Sequence, residues 1–112
     1  MATHYVNHSI TNDMGIDNIL TIAARPSGSN VYASIDFDAG IWDSRIDWEM
    51  ELQRKTNGVW KTIGTFKGYV SAKSPSNRTY TNVRQTGSQR LLVSFWQGGS
   101  YKGAAVTPTW TP

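Results

Sequence analysis

Residues 45–66 read RIDWEMELQRKTNGVWKTIGTF, and this stretch decides the fold. Apolar and polar side chains alternate strictly from Ile46 to Gln53, which is the period-two pattern of a strand with one buried face. Asn57-Gly58 follows, and both residues tolerate the positive φ angles of a tight two-residue turn. The sequence therefore predicts an antiparallel hairpin between residues 45–56 and 59–66.

The two-residue turn also predicts which residues face each other across the hairpin. Lys55 is expected opposite Trp60, where a cation–π contact would contribute about 0.5–1 kcal/mol. An unbroken register places Glu49 opposite Phe66. Glu49 is then expected to have no charged partner directly across the hairpin.

Five more segments show strand patterns bounded by residues typical of turns, and no segment has sustained helical periodicity. These segments are residues 18–25, 31–38, 78–84, 89–97 and 101–106. Residues 1–15 are expected to form a flexible N-terminal segment. About seven strands in 112 residues predict an all-β protein, with residues 1–112 forming a single antiparallel β-sandwich domain.

The acidic residues are confined to the first part of the chain. Residues 1–51 carry two Arg and eight Asp or Glu, a balance of 2 − 8 = −6, whereas residues 52–112 carry nine Lys or Arg and no acid, giving the net +3. Such asymmetry indicates either a partner of one sign or two oppositely charged surfaces.

Part of the chain resembles a known group of domains. The stretch from Trp48 to Arg54, Trp60 beyond the turn, Tyr80 and the strand around Arg90–Val93 are similar to fibronectin-III-like and other immunoglobulin-like domains. The similarity is greatest to small exported domains of Gram-positive bacteria, and it covers about residues 45–95. Leu91 and Leu92 stand where those domains carry a Tyr.

That resemblance implies an immunoglobulin-like or fibronectin-III-like sandwich, and the absence of cysteine fits a bacterial exported protein. The expected location is secreted or cell surface, with a leader removed. A shared fold does not by itself carry a function.

The distribution of reactive residues argues against an enzyme. The chain has two histidines, His4 and His8, both near the start, and no cysteine, so a nucleophilic triad is not predicted. Acid–base catalysis would need paired carboxylates. The candidates are Asp36, Asp38, Asp43, Asp47, Glu49 and Glu51, and most of them occupy alternate positions on outward strand faces, where solvation is the expected role. No catalytic residue and no cofactor is predicted.

Two short motifs suggest metals without predicting a site. Asp36-Phe37-Asp38 begins like a calcium loop, but the later oxygen ligands are not at the required spacing. Ala2-Thr3-His4 would hold Cu²⁺ or Ni²⁺ in a square of nitrogens if Met1 were removed, a motif that arises easily by accident. No metal ligand is therefore predicted.

Aromatic residues near two loops suggest a carbohydrate site. Trp42 stands beside Asp43 in one loop, and Trp96, Gln97 and Tyr101 flank a Gly98-Gly99 turn. Flat rings bordered by polar groups hold sugars by stacking and hydrogen bonding. The alternative is that Trp42 and Trp96 pack the ends of the sandwich.

The cations of the second half suggest an anionic partner. Such a partner would be attracted by Lys61, Lys67, Arg78, Arg84 and Arg90. Two alternatives remain: pairing with carboxylates on neighbouring strands, or self-association of oppositely charged surfaces. No nucleic-acid motif is present, so sequence-specific nucleic-acid binding is not predicted, and no apolar run is long enough for a membrane span.

These patterns together predict a non-catalytic extracellular or cell-surface module that binds an anionic or carbohydrate polymer. The alternatives are a small secreted effector, antimicrobial or inhibiting a protein target, and a structural β protein that forms homo-oligomers.

Overall fold

The structure is a computed structural model that describes residues 2–12, 14–38 and 45–112. In these ranges the chain forms eight antiparallel strands and no helix. The strands are β1 His4–Thr11, β2 Asp17–Ser27, β3 Asn30–Asp38, β4 Ile46–Thr56, β5 Val59–Val70, β6 Ser76–Tyr80, β7 Gln89–Gln97 and β8 Ser100–Val106. Sheet A has the order β1-β2-β3-β6 and sheet B the order β5-β4-β7-β8.

One hydrophobic core lies between the two sheets. The alternation predicted for β4 is confirmed, since Ile46, Trp48, Met50 and Leu52 are all buried. Their neighbours across the sheet on β7 are also buried, and sheet A contributes branched aliphatic side chains from β2 and β3. The inner faces of the sheets are therefore apolar, and the outer faces are left for polar and aromatic side chains.

The hairpin turn forms as predicted, but the register beyond it does not. Asn57 and Gly58 have φ angles of 53° and 78°, and Lys55 pairs with Trp60. The prediction that Glu49 faces Phe66 is wrong, because a β-bulge shifts the pairing between Leu52 and Gln53, and Glu49 faces Lys67 instead.

The bulge at Ile63 reverses which side chains of β5 face the core. Thr62 pairs with Gln53 and Gly64 with Leu52, so Ile63 is the extra residue on β5. Because side chains alternate along a strand, one extra residue reverses the faces of everything after it. The reversal turns Phe66 towards the core and exposes Lys67.

The N-terminal segment contains a strand. Residues 4–11 pair with β2 along their whole length, although a flexible segment was expected there. Two histidines on the inward face of β1 pack on aromatic rings, His4 on Trp110 with centroids 5.4 Å apart and His8 on Phe95 at 5.3 Å. This strand raises the number to eight in the described ranges, where about seven were predicted.

The sixth strand ends earlier than its sequence pattern indicates. It covers Ser76–Tyr80, whereas a strand over residues 78–84 was predicted. Asn82 has a φ angle of 55°, a left-handed conformation that stops an extended strand. Residues 81–88 therefore form a connection at one end of the sandwich.

Among the described residues, no helix is long and apolar enough to cross a membrane.

Candidate functional site

Four neighbouring residues form a row across the outer face of sheet B. Tyr69 on β5 pairs with Asp47 on β4, Asp47 pairs with Trp96 on β7, and Trp96 pairs with Tyr101 on β8. Their sequence neighbours Ile46, Val70 and Phe95 are fully buried, so the row residues point outward. At about 4.8 Å between strands, the row is about 14 Å long.

The three aromatic rings of this row, Tyr69, Trp96 and Tyr101, are named here the aromatic row. Tyr69 is 53% exposed and Tyr101 is 59% exposed, while Trp96 is half-buried. The rings of Trp96 and Tyr101 lie with centroids 5.7 Å apart and planes tilted by 60°. The aromatic row therefore presents a broad ring surface to solvent.

Polar groups lie among these rings. The guanidinium carbon of Arg45 lies 4.6 Å from the ring centroid of Tyr69, and its Nε lies 3.3 Å from Oδ1 of Asp47. Both side chains of this ion pair are about half exposed, so the pair contributes about 0–1 kcal/mol to stability. A ligand hydroxyl can therefore exchange for either partner at little cost.

The Gly98-Gly99 turn sets this geometry. Its φ angles are 57° and 83°, a conformation that glycine adopts without strain and that closes a two-residue hairpin. The turn pairs Gln97 with Ser100 and Trp96 with Tyr101. The local sequence thus places two of the rings side by side.

The predicted carbohydrate residues fall into two groups. Trp96 and Tyr101 come together on the outer face at one end of sheet B, as the spacing around the turn suggests, whereas Gln97 pairs with Ser100 and, as the next residue of the strand, points to the opposite face. Trp42 and Asp43 lie outside the described residues. Sequence reasoning missed Tyr69, Arg45 and Asp47 as site residues, because only the pairing of β4 with both β5 and β7 brings them to the row.

The five predicted anion-binding residues do not converge on one face. Lys67 and Arg90 lie on the outer face of sheet B, and Lys67 lies opposite Glu49 in the strand register. Arg78 instead covers the core, with its guanidinium carbon 5.0 Å from the ring centroid of Trp48. Lys61 belongs to β5 near the hairpin turn, and Arg84 lies in the connection 81–88.

The sheet order explains this dispersal. The acidic strand β4 lies between β5 and β7, which supply cations, so the outer face of sheet B carries both signs. Charges of opposite sign are instead unevenly distributed along the length of the strands. The basic end, defined by the turns Gly28-Ser29 and Asn57-Gly58 and the connection 81–88, carries Arg25, Arg54, Lys55, Lys61, Arg84 and Arg90.

None of the described Asp or Glu side chains lies at the basic end. Asp17, Asp38 and Asp47 lie at the other end of their strands, and Glu51 comes nearest to the basic end. The Glu51 carboxylate accepts a hydrogen bond of 2.6 Å from the hydroxyl of Thr62. The sign asymmetry of the sequence thus becomes a difference between an end with cations only and an end with mixed charge.

Two cavities lie away from the aromatic row. One of about 310 Å³ on the outer face of sheet A is lined by Arg25, Tyr32 and Ser34 among others. Another of about 560 Å³ is lined by residues that include His4 and Trp110. The indole N–H of Trp110 is buried and has no hydrogen-bond partner, and the His4 ring stacks on the same indole.

The histidines are engaged in packing. The Nε2 of His8 donates a hydrogen bond of 3.0 Å to the carbonyl of Lys102 while its ring stacks on Phe95. Among the described residues, no three His, Asp or Glu side chains are arranged to hold a metal ion. No Asp or Glu among the described residues is fully buried. The carboxylates of Asp47 and Glu49 lie on the outer face of sheet B.

One buried ionisable group couples stability to pH. The hydroxyl of Tyr80 donates a hydrogen bond of 3.1 Å to the carbonyl of Met50, and burial, together with the charge of Glu51, raises the pKa of Tyr80 well above its usual range. Below about pH 10 the tyrosine is neutral in both the folded and unfolded states. Above that value only the unfolded state loses the proton, so stability falls as the pH rises.

We therefore expect the free energy of unfolding to fall at a rate approaching 1.4 kcal/mol per pH unit above about pH 10. Urea denaturation at a series of pH values measures this slope. Tyr80→Phe cannot ionise and should be less stable at neutral pH but show a shallower decline. Equal slopes for the two proteins would exclude Tyr80 as the cause.

No protein-family model, curated protein or solved structure matches this chain. Its function is accordingly inferred from the fold and from the side chains that the fold brings together. The aromatic row is the feature that combines exposed ring surface with hydrogen-bonding groups.

Proposed function

We propose that the chain is a non-catalytic domain that binds a carbohydrate polymer at the aromatic row. The observation that carries this proposal is the line of three rings across sheet B, in which Trp96 and Tyr101 lie side by side with no arginine over them, and Arg45 and Asp47 border Tyr69. A packing role alone would bury these rings. Instead, two of the three leave more than half of their surface in solvent.

Sugar rings match such a surface in two ways. The C–H faces of a pyranose stack on aromatic rings, which supply large apolar area at low entropic cost. The sugar hydroxyls need donors and acceptors at the rim, and the guanidinium of Arg45 and the carboxylate of Asp47 offer both. The site is an open row rather than a deep pocket, which favours an extended chain of sugars over a single one.

The strand order supports an immunoglobulin-like type of sandwich. In immunoglobulin domains, strands C, F and G form one sheet, which C′ can join, and A, B and E lie in the other. Here β5-β4-β7-β8 matches the order C′-C-F-G, and β2-β3-β6 matches A-B-E. The first strand, β1, is then an addition at the edge of sheet A.

The resemblance to exported bacterial domains supports a secreted or cell-surface location. A free polysaccharide or a cell-wall glycan would be accessible there. The zero count of cysteine is compatible with export from a bacterium.

The placement of the reactive groups favours binding over catalysis. Both histidines pack against core aromatic rings, and Glu49 faces Lys67 on an open sheet surface. A catalytic carboxylate usually needs a cleft that excludes water. The aromatic row offers a recognition surface without such a cleft.

Replacing Trp96 with alanine tests the proposal. A buried or stacked Trp at the centre of an interface typically contributes about 2 kcal/mol or more, so we expect binding to weaken about 30-fold. The ligands would be four neutral oligosaccharides, cellohexaose, chitohexaose, xylohexaose and maltohexaose, measured by isothermal titration calorimetry.

Trp60→Ala is the matched control. Trp60 lies on the same face near the hairpin turn, but the guanidinium of Arg90 covers its ring at 4.1 Å. This variant should bind the neutral oligosaccharides as the unchanged protein does. The proposal fails if none of the four sugars binds, or if Trp96→Ala binds as tightly as the unchanged protein.

A further inference from the structure

A second site is built at the basic end, around Arg90 on the outer face of sheet B. The Arg90 guanidinium carbon lies 4.1 Å from the ring centroid of Trp60, and its Nε–H donates a hydrogen bond of 2.8 Å to Oε1 of Gln53. Gln53 is 8% exposed and is the Cα partner of Arg90. Stacking and this hydrogen bond together hold the guanidinium in one orientation before any ligand arrives.

Among the described residues, no carboxylate forms an ion pair with this guanidinium, and Glu51, the nearest acid on the same face, is hydrogen-bonded to Thr62. The ammonium of Lys55 lies 6.0 Å from the same Trp60 ring, so two cations flank one indole. Within residues 2–12, 14–38 and 45–112, the one ion pair is that of Arg45 with Asp47, on the aromatic row. The basic end therefore holds six cations, and no Asp or Glu of the described ranges forms an ion pair with any of them.

A fixed guanidinium without a carboxylate partner is suited to anionic oxygens. Sulfate, phosphate and carboxylate groups accept paired hydrogen bonds from the fork of N–H groups on Arg. Neighbouring lysines add attraction over a range of about 8–10 Å at moderate salt. A ligand with repeated anionic groups would engage Arg90 and Lys55 together, since both lie beside the Trp60 ring on the outer face of sheet B.

We propose that the basic end is a separate site for an acidic polysaccharide, anchored by Arg90. Arg90 and Trp96 are six residues apart on β7, which is about 20 Å along a strand. The acidic ligand thus binds away from the aromatic row. This inference goes beyond neutral-sugar binding and does not depend on it.

The aromatic rings at the basic end favour a glycan over a nucleic acid. Single-stranded nucleic acids bind by stacking bases on open aromatic faces. Here arginines cover two of the rings, Trp60 by Arg90 at 4.1 Å and Tyr32 by Arg25 at 4.7 Å. The site therefore offers charge and directed N–H groups, which match the sulfate or carboxylate groups of an acidic sugar chain.

The test is binding of a heparin octasaccharide, which is sulfated, and of an oligogalacturonate, which carries carboxylates. Calorimetry at several salt concentrations should show affinity for at least one of them falling linearly with salt on logarithmic axes. Arg90→Gln removes a charged hydrogen-bond donor and is expected to weaken that binding about tenfold or more. Arg90 also packs on Trp60, so Lys55→Gln is a second variant, at an exposed residue on the same face that leaves the contact of Arg90 with Trp60 in place.

Lys73→Gln is the matched control. It removes the same charge from an exposed residue in the loop after β5, at the other end of the sandwich. The Lys73→Gln protein should bind the acidic sugar with an affinity within about twofold of the unchanged protein. An equal loss in Lys73→Gln and in the basic-end variants would overturn the proposal, because net charge alone would then explain the binding. Trp96→Ala should retain affinity for the acidic sugars even if neutral sugars never bind.

Two alternative roles of the basic end, nucleic-acid binding and self-association, are tested with the same protein samples. A single-stranded oligonucleotide of matched charge should bind more weakly than the acidic sugar, and equal or tighter binding would overturn the assignment to a glycan. Sedimentation of the protein alone should show a monomer at the salt concentration used. Salt-sensitive oligomers that Arg90→Gln dissociates would instead assign the basic end to a second copy of this chain.

Discussion

Replacing Trp48 with alanine is expected to lower the free energy of unfolding by about 3–5 kcal/mol, the usual cost of truncating a large buried aromatic residue. Trp48 is 2% exposed and lies at the centre of sheet B, between β5 and β7. Its removal leaves a cavity that the surrounding strands cannot close. Urea denaturation followed by circular dichroism would measure the loss.

The indole of Trp48 also connects the core to the aromatic row. Its N–H donates a hydrogen bond of 3.0 Å to the hydroxyl of Ser76, which in turn donates one of 2.6 Å to the backbone carbonyl of Tyr69. Trp48→Phe keeps most of the volume but breaks this chain, and we expect it to cost about 1–2 kcal/mol. Trp60→Ala is the control, since that ring is only half-buried, and a loss there as large as in Trp48→Ala would contradict the account of the core.

Replacing Gly68 with valine is expected to lower the free energy of unfolding by about 3 kcal/mol, at the upper end of the usual cost of overpacking. A Cβ on Gly68 would lie 2.8 Å from Cζ2 of Trp48 and 2.8 Å from a terminal nitrogen of Arg78. Arg78 can move aside, but the indole is held by the core and by Ser76. Valine adds two further methyl groups to this contact, so β5 would have to separate from β4.

Thr65→Val serves as the control for this substitution. Thr65 is exposed on the outer face of the same strand, opposite Glu51, and a change there should stay within about 0.5 kcal/mol. Thermal denaturation of both variants measures the difference. A Gly68→Val protein as stable as the Thr65→Val protein would show that β5 does not pack closely on Trp48.

The local sequence pattern was enough to predict several strands and one turn of the fold. Alternation predicted β4 and its partners, and Asn57-Gly58 predicted the turn, because both depend on neighbours in sequence. The bulge at Ile63 could not be predicted in this way. The residues Thr62 to Gly64 have no clear alternation, and only the need to bury Phe66 rather than Lys67 decides the register.

The first strand escaped prediction for a different reason. His4 and His8 are polar residues on the face of β1 that packs inward, so the strand lacks a clean apolar face. Their rings are flat enough to stack on Trp110 and Phe95. This stacking depends on residues 110 − 4 = 106 and 95 − 8 = 87 positions away in the chain, which no local pattern reveals.

Only part of the candidate site could be predicted from the local sequence. Trp96 and Tyr101 flank one short turn, so their proximity follows from the local sequence. Tyr69 and Asp47 join them only through the order of strands in sheet B. The same order places acidic β4 between basic strands, which is why the charge asymmetry of the sequence did not produce two faces of opposite sign.

The indole N–H signals in a nitrogen-edited NMR spectrum provide the most direct test of the aromatic row as the sugar site. Each of the five Trp residues contributes one such signal, and alanine variants assign them. On titration with a neutral oligosaccharide, the account predicts a shift of the Trp96 signal while those of Trp60 and Trp110 stay in place. A shift confined to Trp110, which lines the larger cavity, or to Trp60, with no change at Trp96, would contradict it.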